Sequence, residues 1–361
     1  MQSHAMRALA VAGATFLGTD ELMAQRPVSY QPEVRQYISV DAPTVALTHV
    51  RIIDGTGSAP KNDQSIVISG NRIQAVGPTG SVQAPAGARV IDLAGHTVIP
   101  GLVGMHDHMF YTTPGMTSVQ SQYSFPRLYL ASGVTTVRTT GSMAPYAELN
   151  LKGGIERGEV PGPRMHITGP YLISTGPDPR LDLMGMHELA SEEAARRVVR
   201  HWAEEGAEWI KGYTQLSRNI FAAVIDEAHK HGLKVTGHLC SISFSEAVKL
   251  GIDNIEHGLR TNSDYDRSKQ PDLCPATHFE TLGKLDMNDP RIQETFKLMI
   301  GRGVAMTTTA VNEQLVPGRP GPDARTLEAM APWIAEQELA RRAKLDAATP
   351  TGEIYPRMRE I

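Results

Sequence analysis

Short apolar runs recur along the chain from residue 102, each followed by a stretch whose apolar positions repeat at helical spacing. The runs lie at 102–106 (LVGMH), 133–138 (GVTTVR), 164–169 (RMHITG), 207–213 (AEWIKGY), 233–238 (LKVTGH), 252–257 (IDNIEH) and 303–308 (GVAMTT). Such runs fit strands buried on both faces, as in a parallel sheet covered by helices. The helices between them are well marked. In "SEEAARRVVRHWAEEG", Ser191 is placed to cap the N-terminus, Ala195, Val198, Val199, Trp202 and Ala203 share one face, and Gly206 ends the helix. Ser217 to Gly232 repeats the plan with Phe221, Val224, Ile225 and Ala228 inward, and Ser243 to Gly251 gives a third unit. This alternation predicts an α/β fold in which parallel strands are wrapped by helices. Seven such strands are one short of a (β/α)8 TIM-type barrel, because the stretch after the seventh, "DARTLEAMAPWIAEQELARRAKL", reads as helix.

The pattern is different before residue 100. Residues 45–99 read as short strands, with Gly70-Asn71 between apolar runs as a hairpin signal. They predict a small, incomplete β-sandwich domain over 40–100, leading into a barrel over 101–361. Residues 1–25 carry Arg7, an apolar segment from Ala8 to Gly18, and "LMAQ" as a cleavage signal. This reads as a signal peptide and a periplasmic or secreted protein; the alternatives are a disordered tail and a cytoplasmic one.

Composition narrows the function classes. The 361 residues are 41% hydrophobic and 20% charged, with a net charge of −4, which offers no basic footprint for nucleic acid. No apolar run is long enough to span a membrane. Cys240 and Cys274 lack the CxxC spacing of a zinc ribbon and read as unpaired thiols.

Candidate chemistry collects where the strands end, the face on which barrel enzymes place their active sites. His106 and His108 are alternate residues of one strand, so their rings project from one face. Lys211 lies in the fourth strand, His238 ends the fifth and His257 the sixth. Burial among apolar residues would drive Lys211 toward its neutral amine, which reacts with carbon dioxide to give an anionic carbamate able to bridge two cations. Neutral imidazole suits Zn²⁺. Tyr213, two residues beyond Lys211, shares its face and is placed to stabilise an oxyanion. Alternation turns Asp107 away from the histidine pair and Glu256 outward into the helix layer. Asp264 and Asp266 read as solvated loop acids. Arg180 and Arg260 read as surface residues, or as partners of a substrate carboxylate. The loops at 110–125, 170–187 and 259–290 are expected to form much of the pocket.

The segments "GNRIQAVG", "HTVIPGLVGMHDH", "SGVTTVR", "EWIKGY", "KVTGHL" and "NIEHG" together resemble the amidohydrolase superfamily of metal-dependent hydrolases, in the branch of imidazolonepropionase-like proteins and Xaa-Pro dipeptidases. The resemblance covers about residues 45–310. It implies that His106 and His108 bind the more buried of two divalent ions, His238 and His257 the more exposed one, and carbamylated Lys211 bridges them. It further implies zinc, and attack of a hydroxide held between the ions on an amide of a dipeptide, N-acyl amino acid or cyclic amide. Isomerisation or decarboxylation on the same scaffold is a weaker alternative. Expected partners are this small-molecule substrate and further copies of the chain in a homo-oligomer, with no nucleic acid and no membrane. Two positions depart from the family pattern: Gly104 stands where an Asp is usual, and Thr139 follows Arg138 where a further acid is usual. The family's eighth-strand Asp would lie beyond Ile361, so the chain reads as a fragment or as a truncated, inactive metal-binding paralogue.

Overall fold

The computed structural model describes residues 29–112, 118–174, 185–309 and 318–347. The expected signal peptide and Arg180 lie outside the described residues.

The first element is one sheet. Its strands are β1 (Thr44–Ile52), β2 (Lys61–Ser69), β3 (Arg72–Pro78), β4 (Arg89–Asp92) and β5 (Thr97–Val98). β2 runs antiparallel to β1 and to β3, while β4 and β5 pair with β1 in parallel. Gly70 and Asn71 make the tight β2–β3 turn, with Gly70 at a positive φ that side chains disfavour. Val50, Ile52 and Ile66 form the apolar cluster, with Leu47, Ile68, Leu93 and Val98 against them. The expected sandwich is, among the described residues, a single sheet.

Beyond it come β6 (Leu102–Asp107), a short antiparallel hairpin of β7 (Phe110–Thr112) and β8 (Ser118–Gln120), and then β9 (Val134–Thr139), β10 (Arg164–His166), β11 (Thr168–Ser174), β12 (His187–Leu189), β13 (Trp209–Gly212), β14 (Lys234–Gly237), β15 (Asn254–Glu256) and β16 (Ala305–Thr307). Two parallel sheets result, ordered β10-β9-β6 and β12-β11-β13-β14-β15-β16. β10 and β11 are one run interrupted at Ile167. The Thr168 backbone N–H donates to the Thr139 hydroxyl at 3.0 Å, and Ser142 bridges to Pro170, so the two sheets continue into each other.

Every predicted run contains a strand. The third is longer than expected, reaching Ser174, and β7, β8 and β12 were not predicted. The sheet is rolled, because the rings of His106 on β6 and His257 after β15 come within 4.5 Å. It is not closed: among the described residues β6 and β16 each pair on one side only, and a groove of about 570 Å³ lined by Val103, Met105, His106 and Met306 lies between them.

The helices pack as their patterns require. Ser191 caps Glu192–Glu204 by accepting from the Ala194 N–H at 3.1 Å, and Ser243 and Glu246 form a reciprocal capping box on Phe244–Leu250. Phe221, Val224 and Ala228 of Arg218–Lys230 share one core with Ile210, Val235 and Ile255 of the sheet. The helix expected over 323–345 is instead two, Ala324–Ala329 and Pro332–Asp346. Pro332 has no N–H to continue the first, but it suits the start of the second. No described helix is long and apolar enough to cross a membrane.

Cys240 and Cys274, expected as free thiols, form a disulfide that joins the segment after β14 to the long loop after β15. Their 34-residue separation gives no sequence signal of this contact.

Candidate functional site

The strand ends bring the expected histidines together. The rings form a row, His108–His106–His257–His238, with neighbouring centroids 5.3, 4.5 and 4.4 Å apart. Tyr213, just past β13, lies against His238 at 4.6 Å. Among the described residues no three His, Cys, Asp or Glu side chains converge as a metal-binding group of their own.

Three of the rings are held through Nδ1. His106 Nδ1 lies 2.7 Å from Glu256 Oε2, His108 Nδ1 3.2 Å from the Gly141 carbonyl, and His257 Nδ1 3.0 Å from the Thr309 hydroxyl. The carboxylate and the carbonyl only accept, so on His106 and His108 the hydrogen sits on Nδ1 and Nε2 keeps its lone pair. The Tyr171 hydroxyl stands 3.5 Å from His108 Nε2.

Burial sets the charge states. It lowers the pKa of His106, takes that of His108 to about 3, and puts those of His238 and His257 well below the imidazole range, with nearby cations, Lys211 among them, adding to the effect. All four rings are therefore neutral donors at neutral pH. Lys211 is 1% exposed, and burial brings its ammonium pKa down to about 8 against the opposing pull of Glu256. Burial raises the Tyr213 phenol, which stays a hydroxyl donor. These donors are the kind that hold a borderline divalent cation.

Glu256 corrects the alternation argument. It faces the interior, fully buried, and does not point into the helix layer. β15 ends at Glu256, and His257 takes the left-handed conformation at φ 72°, so the two residues no longer alternate as strand neighbours. Burial raises the Glu256 pKa, but Lys211, His106 and Arg138 outweigh it and hold the carboxyl well below its usual range.

Among the described residues no hydrogen bond links the Asp107 carboxyl to the histidine rings, and its Oδ2 is buried without a partner. A Cβ at Gly104 would meet its Oδ2 at 1.7 Å, so the Asp107 carboxyl occupies the space that a side chain at 104 would need. Asp266 is buried, not solvated. It accepts from the Thr277 and Thr281 hydroxyls at 2.8 and 2.9 Å and orders its own loop. Asp264 takes the Ser245 N–H and hydroxyl. Arg260 is half-buried beside the site, close enough to bear on the Tyr213 phenol. The polar partners Arg138, Thr236 and Asn254 were not foreseen. Asn254 and Glu256, alternate residues of the strand run 252–257, are the signal that could have found them.

A rolled parallel sheet with buried polar donors at its strand ends defines a TIM-barrel-like α/β protein that carries its chemistry on that face. Within that class the chain belongs to the amidohydrolase family, whose model matches residues 97–309. An allantoinase of Streptomyces avermitilis is 29% identical over 147 residues, 40% of this chain and 31% of that protein. An imidazolonepropionase of Streptomyces griseus is 33% identical over 106 residues, 27% of this chain and 26% of that protein. The chain spans less than a third of the length of these curated relatives. In fold it is similar to an Xaa-Pro dipeptidase with bound methionine, at TM-score 0.56 and 20% identity over 84% of this chain and 74% of that one.

Proposed function

We propose that the protein is a metal-dependent hydrolase of an amide or related C–N bond. The observation that carries this reading is the row of four neutral imidazoles beside the buried Lys211. His106 and His108 would hold one divalent ion and His238 and His257 a second, with Lys211, as its carbamate, supplying an anionic oxygen ligand. Zinc suits these donors. To form the carbamate, the neutral Nζ lone pair attacks carbon dioxide, an N–C bond forms, and one proton leaves. When bound, such ions would supply Lewis acidity, lowering the pKa of water and polarising a carbonyl.

The chain's own residues do the rest. Glu256, Gly141 and Thr309 set the rings. Tyr213 donates to the carbonyl oxygen as charge develops there. Arg260, beside Tyr213, pairs with a carboxylate on the substrate, which favours a dipeptide or N-acyl amino acid; a cyclic amide is the other class. The names of the sequence relatives, allantoinase and imidazolonepropionase, support a C–N bond as the target. Export is part of the proposal, supported by the Cys240–Cys274 disulfide, since such bonds persist in oxidising compartments. The one-sided pairing of β6 and β16, next to His106, favours a second reading, metal binding without turnover.

Zinc analysis of the chain prepared with bicarbonate, followed by mass spectrometry of a dipeptide and N-acyl amino acid panel, separates the two. The main reading expects about two zinc ions per chain and products heavier by one water. It expects no turnover from His106→Asn or Lys211→Ala, and kcat reduced about 100-fold in Tyr213→Phe. Zinc without turnover leaves the second reading, and unchanged turnover in both ligand variants overturns the first.

A further inference from the structure

We propose that Glu256 is a positioning residue, whose carboxylate locks His106 in the tautomer that leaves Nε2 bare, as the hub of a network tying five strands together. The inference rests on the metal-site reading above and deepens it.

The carboxylate is fully buried and surrounded by donors. Oε2 takes His106 Nδ1 of β6 at 2.7 Å. Oε1 takes Arg138 of β9 at 2.6 Å, the Asn254 amide of β15 at 2.9 Å and the Thr236 hydroxyl of β14. Each partner is itself oriented. Thr307 of β16 donates to Asn254 Oδ1 at 3.0 Å, which leaves the amide nitrogen facing Glu256. Arg138 also donates through Nε (2.9 Å) and a terminal nitrogen (2.6 Å) to the Met105 carbonyl, and its guanidinium lies 4.4 Å from the Trp209 ring centroid. One guanidinium thus fixes both the backbone before His106 and the acceptor of its ring.

His106 differs here from its neighbours. The partner of His108 is a neutral carbonyl, and that of His257 a hydroxyl that can donate or accept. A carbonyl and a carboxylate both admit only the Nδ1–H form, but the anionic acceptor also makes the ring a stronger donor through Nε2.

The test uses the full-length, metal-free chain with ¹⁵N-labelled histidine. His106 is assigned by comparison with His106→Asn, and its tautomer is read from two-bond ¹H–¹⁵N spectra. The unaltered chain is expected to show the Nδ1–H form. Glu256→Gln, whose amide can accept or donate, is expected to give a mixed tautomer. Its zinc affinity, by competition with a chelator, is expected to fall about 10- to 100-fold, with circular dichroism confirming the fold. A native-like Glu256→Gln chain that keeps both tautomer and affinity overturns the assignment. So does an Nε2–H ring in the unaltered chain, a measurement that stands even if the variant does not fold. Failure of the unaltered chain to take up zinc overturns the proposed function instead, and the tautomer still decides the hold of Glu256 on the ring.

Discussion

Glu148 lies in the helix Pro145–Glu156 with no solvent exposure, its carboxyl receiving the Ser142 hydroxyl at 2.7 Å. Burial pushes its pKa up to about 7 from 4.5, against hydrogen bonds from Ser142, Thr139 and the Met109 backbone that pull it down. The folded chain therefore binds this proton more tightly than the unfolded one. The resulting stabilisation is complete below pH 4.5 and is lost as the pH rises through about 7. Between pH 5 and 8 the loss is about 2–3 kcal/mol, which Glu148→Gln should remove. Urea unfolding of both chains across that range is the check, and parallel stability curves would refute it. Gly104 shows the same sensitivity to one position: the Asp107 carboxyl already fills the place of its missing side chain.

Among the elements, β13 is closely packed beside the site. A Cβ at Gly212 would meet Phe221 Cε2 at 2.7 Å and Leu216 Cδ1 at 2.9 Å, both in the core under the helix Arg218–Lys230. Gly212→Ala is therefore expected to push that helix off the strand, at a cost of about 1–3 kcal/mol. Lys211 and Tyr213 flank this residue, so zinc content should fall together with the melting temperature. A variant with unchanged melting and metal content would show that the helix yields freely. The end of β15 matters in another way. Its abrupt stop, with a left-handed His257, lets two consecutive side chains serve one interior.

At the scale of the molecule, the Cys240–Cys274 disulfide joins two segments that leave neighbouring strand ends, and the Ser263 hydroxyl donates to the Cys240 carbonyl at 2.7 Å beside it. Closing a loop of this length restricts the unfolded chain, so reduction is expected to lower the unfolding free energy by about 2–4 kcal/mol. Urea unfolding with and without dithiothreitol tests this, with the Cys240→Ser/Cys274→Ser chain as the variant that should not respond to reductant. An unaltered chain equally indifferent to reductant would sink the expectation.

The strand order, the capped helices and the shared face of His106 and His108 were legible in the sequence because each depends on neighbours a few residues away: periodicity, a capping serine, a glycine stop. Lys211, His238 and His257 were legible as polar endings of apolar runs. Gly70-Asn71 foretold the β2–β3 turn, but nothing local said whether a second sheet covered the first. The inward turn of Glu256 escaped the same reasoning, because alternation assumes that a strand continues, and the left-handed backbone at His257 ends it. The pairing of Cys240 with Cys274, and of His106 with a carboxylate 150 residues away, belong to the rolling of the sheet. Local patterning determines which side chains a strand presents; only closure of the chain on itself determines what they meet, since those partners are brought together by packing over distances that no sequence window spans.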